Sequence, residues 1–450
     1  MITLLLSKLA EASGGELRGA DGQITHVTTD SRQLLVEGGL FVALSGENFD
    51  GHDFADAAIN QGASALLVER WLDSALAAEV AQIKVADTRL ALGVLGGLVR
   101  ELSSAKVLAI TGSCGKTSVK EMAASILRQK GTVLATKGNL NNEIGVPLTL
   151  CELTTDTDYA VVELGANHVG EIAWTCSLTQ PHVAIINNVE ASHLEGFGSL
   201  EGVAQAKGEI YSGLVEGGVA IANGDSPFCK LWKEQYDLVY FGSHKDYQAR
   251  DIQLDKAGCA QFRLLTPQGE VAVKLTLPGK HNVANALAAA AGTEALGASL
   301  AEIAEGLSQV TSSNGRLQVW TRPGLTVLDD TYNASVASVL AGLDTLASLP
   351  GFRIFVFGDM AELGSYSKEM HIQVGEHAKK LGIDCVLTVG KDSQFTAQAA
   401  LGKHFADKQQ LTPVLFEMLA QQHKVVVLIK GARSARMEDI VRAIQEEGQC

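Results

Sequence analysis

Long apolar runs, paired cysteines and surplus positive charge are all missing from this chain of 450 residues. Nowhere do about 18 uninterrupted apolar residues occur, which excludes a membrane-spanning helix. The seven cysteines, at 114, 151, 176, 229, 259, 385 and 450, include no Cys-x-x-Cys pair. Scattered and odd in number, they fit a reducing compartment without a structural zinc site. Lys and Arg number 36 against 51 Asp and Glu, a formal charge of −15. Such an excess repels polyanions on average, so nucleic acid and anionic lipid are not expected as partners. Any phosphate-rich ligand must then be held by local basic groups. Residues 1–6 are too short for a signal core and lack a basic flank, so a cytoplasmic protein is expected. Short internal repeats and low-complexity segments are absent as well.

What the chain does have is glycine and alternation. Its 46 glycines and 46% apolar content suit strands alternating with helices, and its length allows roughly two to four domains. The most informative stretch is Thr111-Gly112-Ser113-Cys114-Gly115-Lys116-Thr117-Ser118. An apolar run at 106–110 precedes it and reads as a buried strand; residues 116–130 read as a helix stopping at Gly131. Strand, glycine turn and helix N-terminus make a phosphate cradle, with backbone N–H groups and the positive end of the helix dipole facing the anion. Lys116 would reach the terminal phosphates and Thr117 would hold Mg²⁺. Only two residues separate Gly112 from Gly115, where the common P-loop has four between its glycines, so a narrower group of ATP users is expected.

Three blocks follow from the pattern. Residues 1–100 carry short strand and helix signals, and Ser103-Ser104 marks a boundary before the P-loop strand. Residues 101–313 alternate strands, among them 159–162, 182–186 and 218–221, with helices such as the alanine-rich 282–296, which predicts a parallel sheet covered on both faces. A polar linker at 311–315 leads to residues 314–450, where strands at 325–328, 353–357, 385–389 and 425–429 restart the alternation. The fold class expected is α/β in three domains. A central P-loop ATPase domain is flanked by a small N-terminal α/β domain and a C-terminal Rossmann-like domain.

In open parallel sheets ligands sit beyond the carboxyl ends of strands, and each central strand here ends in polar residues. Glu163 closes the strand at 159–162, and a solvated carboxylate is the default for such a position. His193 follows the strand at 182–186, within a loop where a hydrogen-bonded histidine and a metal ligand are both open. Lys207, in Ala204-Gln205-Ala206-Lys207-Gly208-Glu209, reads by itself as a solvated helix-face lysine.

Taken together, the order and spacing of these segments resemble the Mur ligase family. The short P-loop, the strand-end Glu163, the Asn188-x4-His193-Leu194 segment, Lys207 and the His281-Asn282-x-x-Asn285 helix carry the resemblance. In the third block, Leu328-Asp329-Asp330-Thr331-Tyr332-Asn333-Ala334, Gly358-Asp359-Met360-Ala361-Glu362-Leu363-Gly364 and Lys430-Gly431-Ala432-Arg433-Ser434 are similar to the branch that adds a dipeptide. In the first, Thr29-Asp30-Ser31-Arg32, residues 41–46 and Phe49-Asp50-Gly51-His52 resemble that branch's uridine-nucleotide domain. Two departures stand out: Ser335-Val336 where Asn-Pro is common, and Ser45 where Lys is frequent. No Asp-Asn-Pro-Arg, the mark of the branch that adds a diamino acid, occurs.

The resemblance implies an ATP-dependent ligase joining D-alanyl-D-alanine to UDP-N-acetylmuramoyl-tripeptide through an acyl phosphate, in a protein acting as a monomer. It implies that residues 111–117 bind ATP with Asn285, Arg316 and Asp330, the last two reaching it from a third block that closes on the nucleotide. Thr117 and Glu163 would hold one Mg²⁺, and His193 a second. Lys207 would be carbamylated and serve the metal site, with Lys116, His193 and Lys207 as the catalytic set. Ser31, Arg32, Ser45, Gly46, Asp50, Gly51 and His52 would face the uridine diphosphate, and Asn139 and Asn142 the muramoyl peptide. Two rivals are carried alongside. A folylpolyglutamate-type ligase shares the central block but does not need the Asp-Ser-Arg and Asp-Gly-His segments. A nucleotide-switched binding protein would call for a guanine-specifying Asn-Lys-x-Asp, which is absent.

Overall fold

The computed structural model describes residues 1–46, 49–191, 194–312 and 314–447. Ser192 and His193, Ser313 of the linker and residues 448–450 lie outside the described residues. At its centre is a six-stranded parallel sheet in the order Leu238–Phe241, Val219–Asn223, Val183–Ile186, Lys106–Thr111, Tyr159–Glu163, Val133–Ala135. Lys106–Thr111 is an inner strand, and its apolar residues 107–110 are fully buried because helices cover both faces of the sheet. The P-loop is thereby fixed at the sheet's carboxyl edge, between the ends of its two neighbours.

The first block holds a five-stranded sheet ordered Glu16–Arg18, Ala81–Lys84, Ala65–Val68, Gly39–Val42, His26–Thr28, antiparallel only at the Glu16–Arg18 edge. Its helix Thr88–Leu102 starts at Asp87, whose carboxylate accepts from the N–H groups of Arg89 and Leu90. This helix packs on Gly145–Cys151 and Glu171–Thr179 of the central block. A Cβ at Gly96 would stand 2.8 Å from the Pro147 Cα, so glycine there permits the close approach. One apolar core therefore runs from Leu9 and Ile83 of the first block to Val107 and Val162 of the second.

A correction concerns residues 248–278. The expected strand–helix alternation gives way to three antiparallel strands, Gln248–Leu254, Cys259–Thr266 and Gly269–Pro278. The first is mostly exposed, so it lacks the apolar run or strict alternation by which a strand is recognised. The other two bury Phe262, Leu264, Val273 and Leu275 in the core beneath the helix His281–Ala295.

The third block is a six-stranded sheet ordered Gln318–Arg322, Leu325–Asp330, Val425–Lys430, Phe352–Phe357, Cys385–Val389, Lys403–Phe405. Its single antiparallel strand is the edge Gln318–Arg322. Val425–Lys430, the last strand in sequence, lies between the earlier strands Leu325–Asp330 and Phe352–Phe357, with Lys430 level with Asp330 on one side and Phe357 on the other. Such an arrangement, with helices on both faces, leaves a crevice at the carboxyl ends of these strands. Among the described residues, no helix is long and apolar enough to cross a membrane.

Candidate active site

The P-loop is clasped by asparagines that follow the strand Val183–Ile186 and by others in the first turns of the helix His281–Ala295. The Cys114 carbonyl accepts from Asn187 Nδ2 and Asn188 Nδ2, both at 3.0 Å, and its N–H donates to Asn188 Oδ1 at 2.9 Å. Asn187 Nδ2 also donates to Asn285 Oδ1 at 2.9 Å, and Asn285 Nδ2 to Asn282 Oδ1 at the same distance. Gly115 caps the helix Lys116–Leu127 with φ of 76°, and a Cβ there would lie 2.5 Å from Asn285 Oδ1. Both facts demand glycine. Gly115→Ala is expected to weaken ATP binding at least about tenfold, because the cradle must distort to admit the methyl group; titration with a nonhydrolysable ATP analogue measures it.

Within this clasp, Thr111 is buried and its hydroxyl donates to the Leu164 carbonyl. Ser113 Oγ donates to the Glu190 carbonyl at 3.0 Å and accepts from its N–H at 2.9 Å. Burial, reinforced by Glu190, pushes the Cys114 thiol up to about 11, so it stays protonated and unreactive. Lys116 Nζ donates to the Gly112 carbonyl at 2.7 Å, folding the lysine back over the loop. Burial lowers its pKa, with Glu163 opposing.

Glu163 is 1% exposed, which overturns the solvated default for this strand-end carboxylate. Its two oxygens accept from Thr117 Oγ1 and Asn141 Nδ2, each at 2.8 Å. Lys207 is likewise 1% exposed, so the helix-face reading fails as well. Its Nζ lies 5.4 Å from the Phe197 ring centroid, and no hydrogen bond to it occurs among the described residues. Desolvation first, then the like charge of Lys116, bring its pKa down to about 7 against the pull of Glu171, Glu209 and Glu163.

A cavity of about 830 Å³ opens in front of this group, walled on one side by residues 113–118, Glu163 and Asn285 and on the other by Arg316, Asp330, Tyr332 and Lys430. Asn139 and Asn142 line the same space, and Asn142 Oδ1 accepts from the Gly145 N–H. The Arg316 guanidinium stacks 4.0 Å from the Tyr332 ring centroid. Asp330 bonds Lys430 Nζ at 2.6 Å through one oxygen and the Leu317 N–H at 3.1 Å through the other. Most of the expected set from the second and third blocks therefore converges; Lys207 does not itself line the cavity, and His193 falls outside the described residues. Sequence reasoning assigned no site role to Asn141, Asn187, Asn188, Tyr332 or Lys430; Asn188, Tyr332 and Lys430 stood within the family-like segments, Asn187 was a polar residue directly after an apolar strand, and Asn141 had no signal of its own.

None of the seven first-block residues lines this cavity. They lie instead in the turns that follow two adjacent strands of the first sheet, His26–Thr28 and Gly39–Val42. Asp50 accepts from the His52 N–H and ring Nδ1 and from Arg70 Nη1, while His52 Nε2 accepts from the Glu69 N–H. The imidazole is thus neutral with its proton on Nδ1. The His52 backbone bond leads in holding the Asp50 carboxyl well below the usual range. Ser45 Oγ donates to Glu69 Oε2 at 3.2 Å, the backbones of Ser45 and Asp50 form an antiparallel bridge across the turn, Gly46 N–H bonds the Phe49 carbonyl, and Gly51 N–H the Leu44 carbonyl. Ser31 and Arg32 lie in the turn after His26–Thr28; Arg32 is exposed and forks onto Asp30 through two bonds of 2.8 Å, which hold Asp30 at about 2.

Comparison with known proteins matches these blocks in turn. Residues 23–98 fit the model "Mur ligase family, catalytic domain", 110–293 the "Mur ligase middle domain", and 315–447 the "Mur ligase, glutamate ligase domain". The chain belongs to the Mur ligase family. It is 52% identical, across the full length of both proteins, to the UDP-N-acetylmuramoyl-tripeptide--D-alanyl-D-alanine ligase of Escherichia coli. Among solved structures, MurF from Acinetobacter baumannii superimposes with a TM-score of 0.93 at 38% identity, covering 99% of each chain. MurF ligase from Thermotoga maritima, in complex with ADP, superimposes with a TM-score of 0.83 at 29% identity, covering 94% of this chain and 97% of that one. The Mur ligase match therefore extends through the first block.

Proposed function

We propose that this chain is an ATP-dependent amide ligase that joins D-alanyl-D-alanine to UDP-N-acetylmuramoyl-tripeptide. The observation carrying this reading is 52% identity over the full length of the E. coli ligase of that name, combined with a P-loop that faces a shared cavity. Residues 1–100 take the uridine nucleotide, 101–313 bind ATP, and 314–450 bind the dipeptide and close on ATP. The protein acts as a monomer in the cytoplasm.

The bond to be made sets the mechanism. A carboxylate is a poor electrophile, so one of its oxygens first attacks the γ-phosphorus of ATP and ADP leaves. The dipeptide's unprotonated amine then attacks the acyl carbon; phosphate departs, and the amine gives up a proton as the amide forms. Residues 111–117 hold the phosphates by backbone N–H groups and Lys116, and Asn285, Arg316 and Asp330 hold the rest of the nucleotide. Asn139 and Asn142 meet the muramoyl peptide. Thr117 and Glu163 offer the oxygen donors that Mg²⁺ prefers. These two residues would hold Mg²⁺, which would supply positive charge against the transferring phosphoryl group. The unprotonated Lys207 amine adds to CO₂, forming an N–C bond and releasing one proton, and the carbamate supplies an anion to the metal site. His193 is assigned to a second ion.

Phosphate release with each substrate omitted in turn tests the reading. Release requires ATP, the tripeptide nucleotide and the dipeptide together; nucleotide hydrolysis at the full rate without them would favour a nucleotide-switched protein. Arg32→Ala is expected to raise KM for the tripeptide nucleotide about tenfold, because a charge-assisted contact to the diphosphate is lost, and to leave KM for ATP unchanged. Steady-state kinetics with each substrate varied separates the two constants.

A further inference from the structure

The carboxylate of Asp330 stands at the joint between the linker and the third sheet, and its two oxygens face two different partners. One accepts the Leu317 N–H at 3.1 Å, the residue next to Arg316. The other accepts Lys430 Nζ at 2.6 Å, and the same ammonium donates to the Asn333 carbonyl at 2.8 Å. Lys430 is 2% exposed, a lysine buried at the end of an inner strand and on the wall of the cavity. The parallel register puts it level with Asp330, so the reach is set by the sheet. His281, which faces the same pair, is held below its ordinary pKa chiefly by burial and does not compete as a cation.

Burying an ammonium is costly, and hydrophobic substitutes of similar volume often stabilise a protein as well or better. Packing alone therefore does not account for a lysine here. Its bonds reach both ends of the turn Asp330–Asn333, which carries Tyr332, the platform on which Arg316 stacks. Through Asp330 the same lysine fixes the backbone at Leu317. Arg316 is thus held from both sides, by its neighbour's N–H and by the ring beneath it.

We propose that Lys430 is a positioning residue for the nucleotide, presetting Asp330 and Arg316 on the third-block wall of the cavity. This rests on the ATP reading above. It assigns Lys430 no contact with the reacting atoms.

Lys430→Met keeps the side chain's length without a donor, and Lys430→Gln keeps a donor without the charge. In the Met variant, ADP affinity measured by direct titration is expected to fall at least about tenfold and KM for ATP to rise by a similar factor. KM for the tripeptide nucleotide stays within about twofold. Hydrogen exchange at residues 315–320 quickens, because the Leu317 N–H loses a fixed acceptor. The Gln variant falls between Met and wild type, and decides the matter by the same criteria if the Met variant does not fold. ADP affinity unchanged in a folded variant overturns the proposal, and so does an equal loss for every ligand, which marks Lys430 as structural only. Because ADP binding is read without turnover, a wild-type protein lacking ligase activity would count against the proposed reaction and leave this test standing.

Discussion

Lys207→Ala is expected to be nearly inactive while folding normally, and to recover part of its rate in formate or acetate. The side chain is almost fully buried and has no hydrogen bond among the described residues, a setting that penalises an ammonium. Burial first, then the like charge of Lys116, bring its pKa down to about 7, so far more of the amine is unprotonated at neutral pH than in an exposed lysine. Only the unprotonated amine can add CO₂. If the carbamate provides the required anion, a small carboxylate diffusing into the vacated space should substitute for it, and an alkylammonium should not. Activity comparable with wild type would remove Lys207 from the mechanism; a dead variant unaffected by formate would leave it a role other than as a carboxylate carrier.

Lys116→Ala is expected to lose on the order of 10²–10³ in kcat or more, the usual scale for removing a preorganised charge from a transferring group. The lysine caps the loop through the Gly112 carbonyl and contributes little to the core, so the thermal midpoint should move by less than a few degrees. Lys116→Arg should restore little, since the guanidinium is too large for a loop closed by Asn187 and Asn188. Near-normal turnover in the Ala variant would end the assignment of this loop to phosphate binding. A large fall in the thermal midpoint would instead make Lys116 a structural group.

The parts of the site that were legible in the sequence are those built locally. Strand, turn and helix around the P-loop occupy some 20 consecutive residues, and periodicity, glycine spacing and helix polarity all agree there. Lys207 was legible only through family resemblance. Nothing in Ala-Lys-Gly-Glu distinguishes a buried lysine from a solvated one, because its burial comes from Phe197 and from the segments carrying Glu171 and Glu209. The asparagine clasp was hidden for a similar reason: Asn188 and Cys114 lie 74 residues apart. Lys430 and Asp330, 100 residues apart, meet because the last strand inserts between two earlier ones, an order that no local pattern encodes. The antiparallel strands at 248–278 were overlooked because exposure on both faces of the first erases its alternation. In the first block, the turn at 45–52 was visible, but its partners Glu69 and Arg70 come from the next strand's end.

An oxygen-labelling experiment bears most directly on the central claim. The tripeptide nucleotide is labelled with ¹⁸O in its terminal carboxylate, then incubated with the protein, ATP and D-alanyl-D-alanine. Product and phosphate are weighed by mass spectrometry. Ligation through an acyl phosphate predicts a UDP-muramoyl-pentapeptide with one labelled oxygen in the new amide and one labelled oxygen in each phosphate released. Phosphate free of label, or released without amide formation, would contradict it.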